Sequence, residues 1–155
     1  MFELTKENGQ QMLLGGWFLG GGGGGLPEGG REILDLVLKT GPVRFVSLDE
    51  LKDDDLLVTA SLVGSPASPD SCVQERHYQQ VYDSYLAADD RNIAAFVTNE
   101  NGGHSITNGW MVAAMTGKPM VDAACNGRAH PTGVMGSMNL HKQKDYVTMQ
   151  ACVGG

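Results

Sequence analysis

Six consecutive glycines, at residues 20–25, constrain the fold more than any other feature of this 155-residue chain. Each glycine costs about 1 kcal/mol relative to alanine inside a helix, so no ordinary helix or strand continues through the run. The chain has helical patterning on both sides of it. We therefore expect one helix over residues 5–19, capped by Thr5, and a second over residues 27–39, with Pro27 in its first turn.

The glycine run is itself a candidate binding element. Without a Cβ atom, the backbone N–H groups of Gly21, Gly22, Gly23 and Gly24 can approach a ligand or a neighbouring element closely. The alternative is a flexible connection between two helices. A phosphate-binding loop is disfavoured, because no Gly-Lys-Ser/Thr motif follows and a helix, not a strand, precedes the run. A nucleotide-binding module stays an open alternative.

Short apolar segments alternate with helical segments along the rest of the chain. This order predicts an α/β fold, a layered sandwich with a mostly parallel sheet, formed as a single domain over residues 1–155. The predicted strands lie at residues 43–46, 56–60, 93–97 and 120–123, the further helices at residues 71–88 and 105–115, and a final strand-like segment at residues 146–151.

The chain carries an excess of acidic side chains, with 18 Asp and Glu against 11 Lys and Arg and a net charge of −7. Such a surface repels phosphate backbones and anionic lipids, so no nucleic-acid or membrane partner is expected. No apolar stretch approaches the roughly 18 residues of a membrane span, and no secretory signal is visible. The three scattered cysteines make no disulfide framework, so a cytoplasmic location is expected.

A polar loop, residues 99–104, follows the predicted strand at residues 93–97. Open α/β sheets bind ligands beyond the carboxyl ends of their strands. Glu100 is therefore a candidate general base or metal ligand. Gly102 and Gly103 are candidates for ligand binding through the backbone. The alternative interpretation is a helix cap with a solvated carboxylate.

A second polar loop follows the predicted strand at residues 120–123. It combines a carboxylate (Asp122), a thiol (Cys125), a guanidinium group (Arg128) and an imidazole (His130) within nine positions. Cys125 is a candidate nucleophile if a nearby cation lowers its pKa, or else an inert buried thiol. Arg128 is suited to bidentate hydrogen bonding with a substrate carboxylate or imide-like oxygen, or to a salt bridge with Asp122.

These two loops also supply possible metal ligands. Aspartate, cysteine and histidine side chains all bind zinc. We therefore expect a divalent metal, most naturally zinc, at His104, Asp122 and His130. The spacing matches no standard zinc site, and the chain has no Cys-x-x-Cys motif.

Several segments, in a fixed order along the chain, carry a family resemblance. They are Phe18-Leu19 with the glycine run, Gly41-Pro42-Val43-Arg44, Glu100-Asn101-Gly102-Gly103, and Asp122-Ala123 with Gly127-Arg128-Ala129 and Pro131. Together they resemble the S-methyl thiohydantoin desulfurase family, formerly a domain of unknown function linked to hydantoin utilisation. The resemblance extends over nearly the whole chain.

The resemblance implies an N-terminal α/β domain that normally continues into a β-rich domain, which this chain is expected to lack. It implies a hydrolase-type activity on a small cyclic amide such as hydantoin or thiohydantoin, with Glu100, Cys125 and Arg128 in catalytic roles. The chain departs from the family pattern at Ala124, Cys125 and Thr132. The alternative is a non-catalytic subunit that binds a small ligand and needs a partner. The expected assembly is a homo-oligomer or a complex with a β-rich chain.

Overall fold

The computed structural model describes residues 1–63, 73–129 and 138–154. Its sheet is formed by strands β1 (Phe2–Glu3), β2 (Arg44–Val46), β3 (Leu56–Ala60), β4 (Ile93–Thr98) and β5 (Met120–Ala124). They lie in the order β1-β2-β5-β4-β3. β1 pairs with β2 antiparallel, and every other neighbouring pair is parallel. The carboxyl ends of the four parallel strands therefore share one edge of the sheet.

The described residues form four α-helices, and these pack on the same face of the sheet. They are α1 (Lys6–Gly20), α2 (Pro27–Thr40), α3 (Glu75–Ala88) and α4 (Trp110–Thr116). All four contribute to one core cluster around the fully buried Trp110. The opposite face carries a smaller cluster that includes Val97 and Cys125. The predicted α/β sandwich with a mostly parallel sheet is confirmed.

The glycine run ends α1, as the sequence predicts. Gly21 follows the helix with a left-handed φ of 58°, and its N–H donates to the carbonyl oxygen of Phe18. At the other end, Thr5 Oγ1 accepts from the Asn8 amide while Asn8 Oδ1 accepts from the Thr5 amide. Pro27 then begins α2, as expected.

Several predicted elements differ from the structure. The helix predicted over residues 105–115 is divided into a 3₁₀ turn (Ser105–Thr107) and α4, because Gly109 between them adopts a φ of 94°. Residues 146–151 form no strand, so that prediction is wrong. The sequence does not predict β1, because a strand of two residues is too short to show an alternating apolar and polar pattern. The predicted start of α3, residue 71, lies outside the described residues.

None of the helices in the described parts of the chain is long and apolar enough to cross a bilayer.

Candidate functional site

Three loops meet at the carboxyl ends of β4 and β5. We call them the glycine loop (residues 20–25), the β4 loop (residues 99–105) and the β5 loop (residues 125–129). The carbonyl oxygen of Gly24 accepts two hydrogen bonds from the β4 loop, one from the amide of Ser105 at 2.8 Å and one from the preceding amide at 2.9 Å. The segments that the sequence singles out are thus neighbours in the fold.

Asn101 joins the β4 loop to the β5 loop. Its backbone N–H and its side-chain Nδ2 both donate to the carbonyl oxygen of Gly127, at 3.1 and 2.5 Å. Its own carbonyl oxygen accepts from the amide of Ala129 at 3.0 Å, and it forms a parallel bridge with Arg128. Sequence reasoning missed this role, because an asparagine in a polar loop carries no distinguishing pattern.

The glycines in these loops allow backbones to approach each other closely. A Cβ atom on Gly102 would lie 2.5 Å from the Cα atom of Gly24, and one on Gly23 would lie 2.9 Å from the Cβ atom of Ala129. A Cβ atom on Gly103 would lie 2.7 Å from the carbonyl oxygen of Gly25. Gly23 and Gly24 thus approach a neighbouring element closely, which is one of the two roles expected of the run. Gly102 and Gly103, which the sequence predicts to bind a ligand, pack against the glycine loop in the same way, and their ligand binding stays a prediction.

Two glycines of the run have no such neighbour. Gly21 and Gly22 adopt φ values of 58° and 93°, and a Cβ atom on either would meet no atom within 4 Å. These two positions need glycine for backbone conformation and leave their surface open. Ligand binding by the predicted glycines therefore stays a prediction, and it is sterically simplest at these two.

A cleft of about 210 Å³ lies between α1 and the carboxyl ends of β4 and β5. The rings of Phe45 and Trp110 meet edge to face on its wall, with centroids 5.9 Å apart. Thr98, Asn101 and Asp122 supply its polar groups. The remaining apolar lining includes Met12, Leu19, Ile106 and Met120. Among the predicted site residues, Asp122 lines this cleft, whereas Glu100, Cys125 and Arg128 are not part of its lining.

Glu100 and Arg128 lie beside the cleft in adjoining loops. Glu100 is half-buried and directly precedes Asn101, which forms the bridge with Arg128. Arg128 is exposed, and its Nη1 donates to the carbonyl oxygen of Ala129 at 3.2 Å. Within the described structure, Arg128 forms no ion pair with Glu100 or Asp122. The guanidinium group therefore keeps donors available for an anion or a developing oxyanion.

Cys125 lies on the other side of the sheet from Asp122. Its side chain belongs to the cluster with Val97 and Val121, and its Sγ forms a 3.2 Å hydrogen bond with Thr59 Oγ1. Burial raises the pKa of the Cys125 thiol. The sheet thus separates the thiol from the carboxylate that lines the cleft, and the environment of the thiol disfavours the thiolate that a nucleophile needs.

His104 packs against the start of α2. Its imidazole approaches Gly25 and Gly29, its Nε2 is buried without a hydrogen-bond partner, and burial lowers its pKa. The described residues contain no group of three His, Cys, Asp or Glu side chains arranged to hold a metal. His130 lies outside the described residues. The expected metal site at His104, Asp122 and His130 therefore stays a prediction, and no step below depends on it.

The contact between the glycine loop and the β4 loop predicts an asymmetric response to substitution. Gly102→Ala should lower the free energy of unfolding by about 1–3 kcal/mol, because the new Cβ atom meets the backbone of Gly24. Gly21→Asn should change it by less than about 0.5 kcal/mol, because asparagine tolerates left-handed φ and the position is open. Urea unfolding measures the free energy of unfolding of both variants. Equal losses in Gly102→Ala and Gly21→Asn would contradict the close contact between the glycine loop and the β4 loop.

The burial of Cys125 predicts that its thiol reacts slowly with disulfide reagents. In a Cys72→Ser background, Cys125 should react with a disulfide reagent at pH 8 at least about tenfold more slowly than the exposed Cys152, because burial raises its pKa. In urea, the two thiols should react at similar rates. Native-state reaction of Cys125 as fast as Cys152 would instead support an activated nucleophile.

Comparison with known proteins identifies the family of the chain. No curated protein sequence matches the chain significantly. A crystallised protein from Chromobacterium violaceum has a similar fold, with a TM-score of 0.69 and 29% sequence identity. That alignment covers 84% of this chain and 37% of the other, so the chain spans well under two thirds of that protein's length. The model of the family described as S-Me-THD-like, N-terminal domain matches residues 7–154. The chain therefore belongs to the S-Me-THD-like N-terminal domain family, as its motifs predict.

Proposed function

We propose that this domain binds a small cyclic amide of the hydantoin or thiohydantoin class in the cleft and takes part in its hydrolysis or desulfurisation. The observation that carries the proposal is the cleft itself. It combines apolar walls with a few polar groups, lies at the carboxyl ends of parallel strands, and adjoins the two loops that hold Glu100 and Arg128. Membership of a thiohydantoin-related family supports the same substrate class.

The size of the cleft favours a single small ring. Its volume of about 210 Å³ is below the range of roughly 300–1,000 Å³ that drug-sized ligands occupy. Leu19 and Ile106 offer apolar surface to a flat ring, and Met12 offers polarisable sulfur to an apolar substituent such as S-methyl. Phe45, Trp110 and Met120 are fully buried and form the packed base beneath the cleft.

Asp122 is the group in the cleft best suited to recognise a ring N–H. It lines the cleft and is exposed, so its carboxylate can accept a hydrogen bond from a ligand. Thr98 and Asn101, the other polar groups of the lining, already donate hydrogen bonds within the protein. Thr98 Oγ1 donates to the carbonyl oxygen of Ser105 at 2.9 Å, and Asn101 Nδ2 donates to Gly127.

The proposed chemistry is addition of water to an electrophilic ring carbon. The water oxygen forms a bond to that carbon, and the water proton passes to Glu100 acting as general base. Arg128 stabilises the negative charge that develops on the ring. For a thiohydantoin S-alkylated at that carbon, the C–S bond then breaks as the C=O bond forms, the sulfur takes the proton from Glu100 and leaves as a thiol, and the second water proton moves from the new hydroxyl to the ring nitrogen. For a hydantoin, the ring C–N bond breaks instead, and the nitrogen takes the proton from Glu100. No oxidant or reductant is needed.

A second candidate is a ligand-binding half-site that completes its catalytic apparatus with a partner domain or chain. The observation in its favour is the length of the crystallised relative, of which this chain covers only 37%. A position of Glu100 and Arg128 beside the cleft lining fits a site completed from outside. In this case the domain binds the cyclic amide but turns it over only with its partner.

Calorimetric titration with thiohydantoin tests the binding site. Asp122→Asn should weaken binding by about tenfold or more, because a charge-assisted hydrogen bond to the ring N–H is lost. Asp53→Asn, an equally isosteric change in an acidic turn that does not line the cleft, should leave the dissociation constant unchanged. Unaltered binding by Asp122→Asn would contradict recognition at the cleft.

Turnover measurements test the roles of the flanking loops. Glu100→Gln should lower the rate of (thio)hydantoin hydrolysis by about 10²–10⁴-fold, and Arg128→Ala by about 10²–10³-fold. Thiohydantoin binding should change little in either variant. Unchanged rates in both variants would exclude the catalytic assignment, and binding without turnover in the unmodified chain would favour the half-site.

A further inference from the structure

Asp122 gives the cleft a negative charge that no neighbour compensates. Among the described residues that line the cleft, it alone has an ionisable side chain. Its carboxylate forms no ion pair and no hydrogen bond within the described parts of the chain. The charge and the lone pairs of Asp122 are therefore available to a ligand.

The loops around the cleft do not neutralise this charge. Glu100 and Arg128 carry opposite charges beside the cleft, so together they add no net charge. Burial lowers the pKa of His104, so its imidazole is neutral at about pH 7. The glycine loop has no charged side chain. The described part of the site thus keeps one net negative charge, and the net charge of −7 on the whole chain adds a field of the same sign.

Two uncharged side chains of the lining also present hydrogen-bond acceptors. Thr98 Oγ1 donates its hydrogen to the carbonyl oxygen of Ser105, so its lone pairs remain for a ligand. Asn101 Nδ2 donates to Gly127, while Asn101 Oδ1 makes no hydrogen bond within the described structure. A ligand with several N–H donors pairs with these oxygens, whereas an anionic ring would set further lone pairs against them.

The apolar part of the lining strengthens the attraction between Asp122 and a positive charge. Leu19 and Ile106 offer low-dielectric walls, and a concave site with such walls concentrates the field of a charge. Asp122 itself is exposed, so solvent reduces the effect below that of a buried ion pair. We therefore expect a preference of about tenfold for a cation that can pair with the carboxylate through two hydrogen bonds.

We propose that the cleft binds its heterocycle as a cation, with the N–C–N edge of an amidinium group on the Asp122 carboxylate. The ligand class is a cyclic isothiourea or cyclic guanidine that is protonated on a ring nitrogen. The two parallel N–H groups of an amidinium match the two oxygens of a carboxylate, as those of a guanidinium do. The inference rests on the proposed function, because it concerns the same cleft and the same type of ring.

Protonation of the ring also favours the proposed reaction. In an S-alkylated thiohydantoin the carbon that bears sulfur is bonded to both nitrogens of the N–C–N edge, so a positive charge shared by these nitrogens makes that carbon more electrophilic. Water adds there with Glu100 as the base, and the sulfur leaves as a thiol. The ring nitrogen already holds its proton, so the second water proton goes to solvent and the reaction balances. Asp122 thus acts as a catalytic residue that stabilises the reactive form of the substrate.

Calorimetric titration at about pH 7 with two matched probes tests the inference. The first, 2-methylthio-2-imidazoline, is an S-methylated cyclic isothiourea and is cationic at this pH. The second, 2-methylthio-2-thiazoline, has sulfur in place of the ring N–H and is neutral. The cation should bind about tenfold more tightly, and its advantage should fall when NaCl is raised from about 0.05 to 0.5 M, because salt screens the charge of Asp122.

Variants of Asp122 assign the preference to its charge. Asp122→Asn should abolish the preference for the cation, whereas Asp122→Glu should retain most of it because the charge is kept. Asp53→Asn, which removes a carboxylate outside the cleft lining, should leave the preference unchanged. Ultraviolet absorbance of bound S-methyl thiohydantoin gives a readout that needs no turnover. The equilibrium constant for protonation of the ring should be about tenfold larger in the complex with the unmodified chain, and unaltered in the complex with Asp122→Asn.

The outcomes separate this inference from the proposed reaction. Equal binding of the two probes, or binding of neither, would overturn the inference. If thiohydantoin is nevertheless turned over, the proposed function stands without it. A preference for the cation that depends on Asp122, in a chain that turns over no hydantoin or thiohydantoin, would support the inference and contradict the proposed reaction.

Discussion

The carbonyl oxygen of Gly24 accepts hydrogen bonds from two consecutive amides of the β4 loop, and Asn101 in that loop makes three hydrogen bonds to the β5 loop. These contacts connect segments that lie far apart in the sequence. They place the end of α1 over the carboxyl ends of β4 and β5, which creates the cleft. The absence of Cβ atoms on Gly24 and Gly102 makes this possible, because any side chain there would push the backbones apart. Glycine at these contact positions is thus a packing requirement of the candidate site.

Much of the fold follows from local patterns that the structure retains. The glycine run, the Pro27 helix start and the strands β3, β4 and β5 all have strong local signals, and each appears where the patterns predict it. The misses have identifiable physical causes. Gly109 interrupts a helix through a positive φ that apolar spacing does not reveal. β1 has only two residues, too few to show an alternating pattern.

The candidate site is predicted less completely than the fold. The sequence indicates that the polar loops lie at the strand ends, and the structure brings those loops together. It does not indicate which face each side chain takes. Asp122 lines the cleft on the helix side, whereas Cys125, one residue beyond the end of β5, joins the cluster on the opposite face. Phe45, Trp110 and Asn101 come to the cleft from three separate segments, so only the tertiary structure identifies them as its lining.

Nuclear magnetic resonance titration of the isotope-labelled chain with thiohydantoin tests the central claim most directly, since it reports on every amide at once. The account predicts chemical-shift changes concentrated at Asn101, Ile106, Trp110 and residues 120–124, around the cleft between α1 and the ends of β4 and β5. The acidic groove lined by Asp54, Arg91 and Asn92 should show none. Changes confined to that groove, or no changes at saturating ligand, would contradict the account.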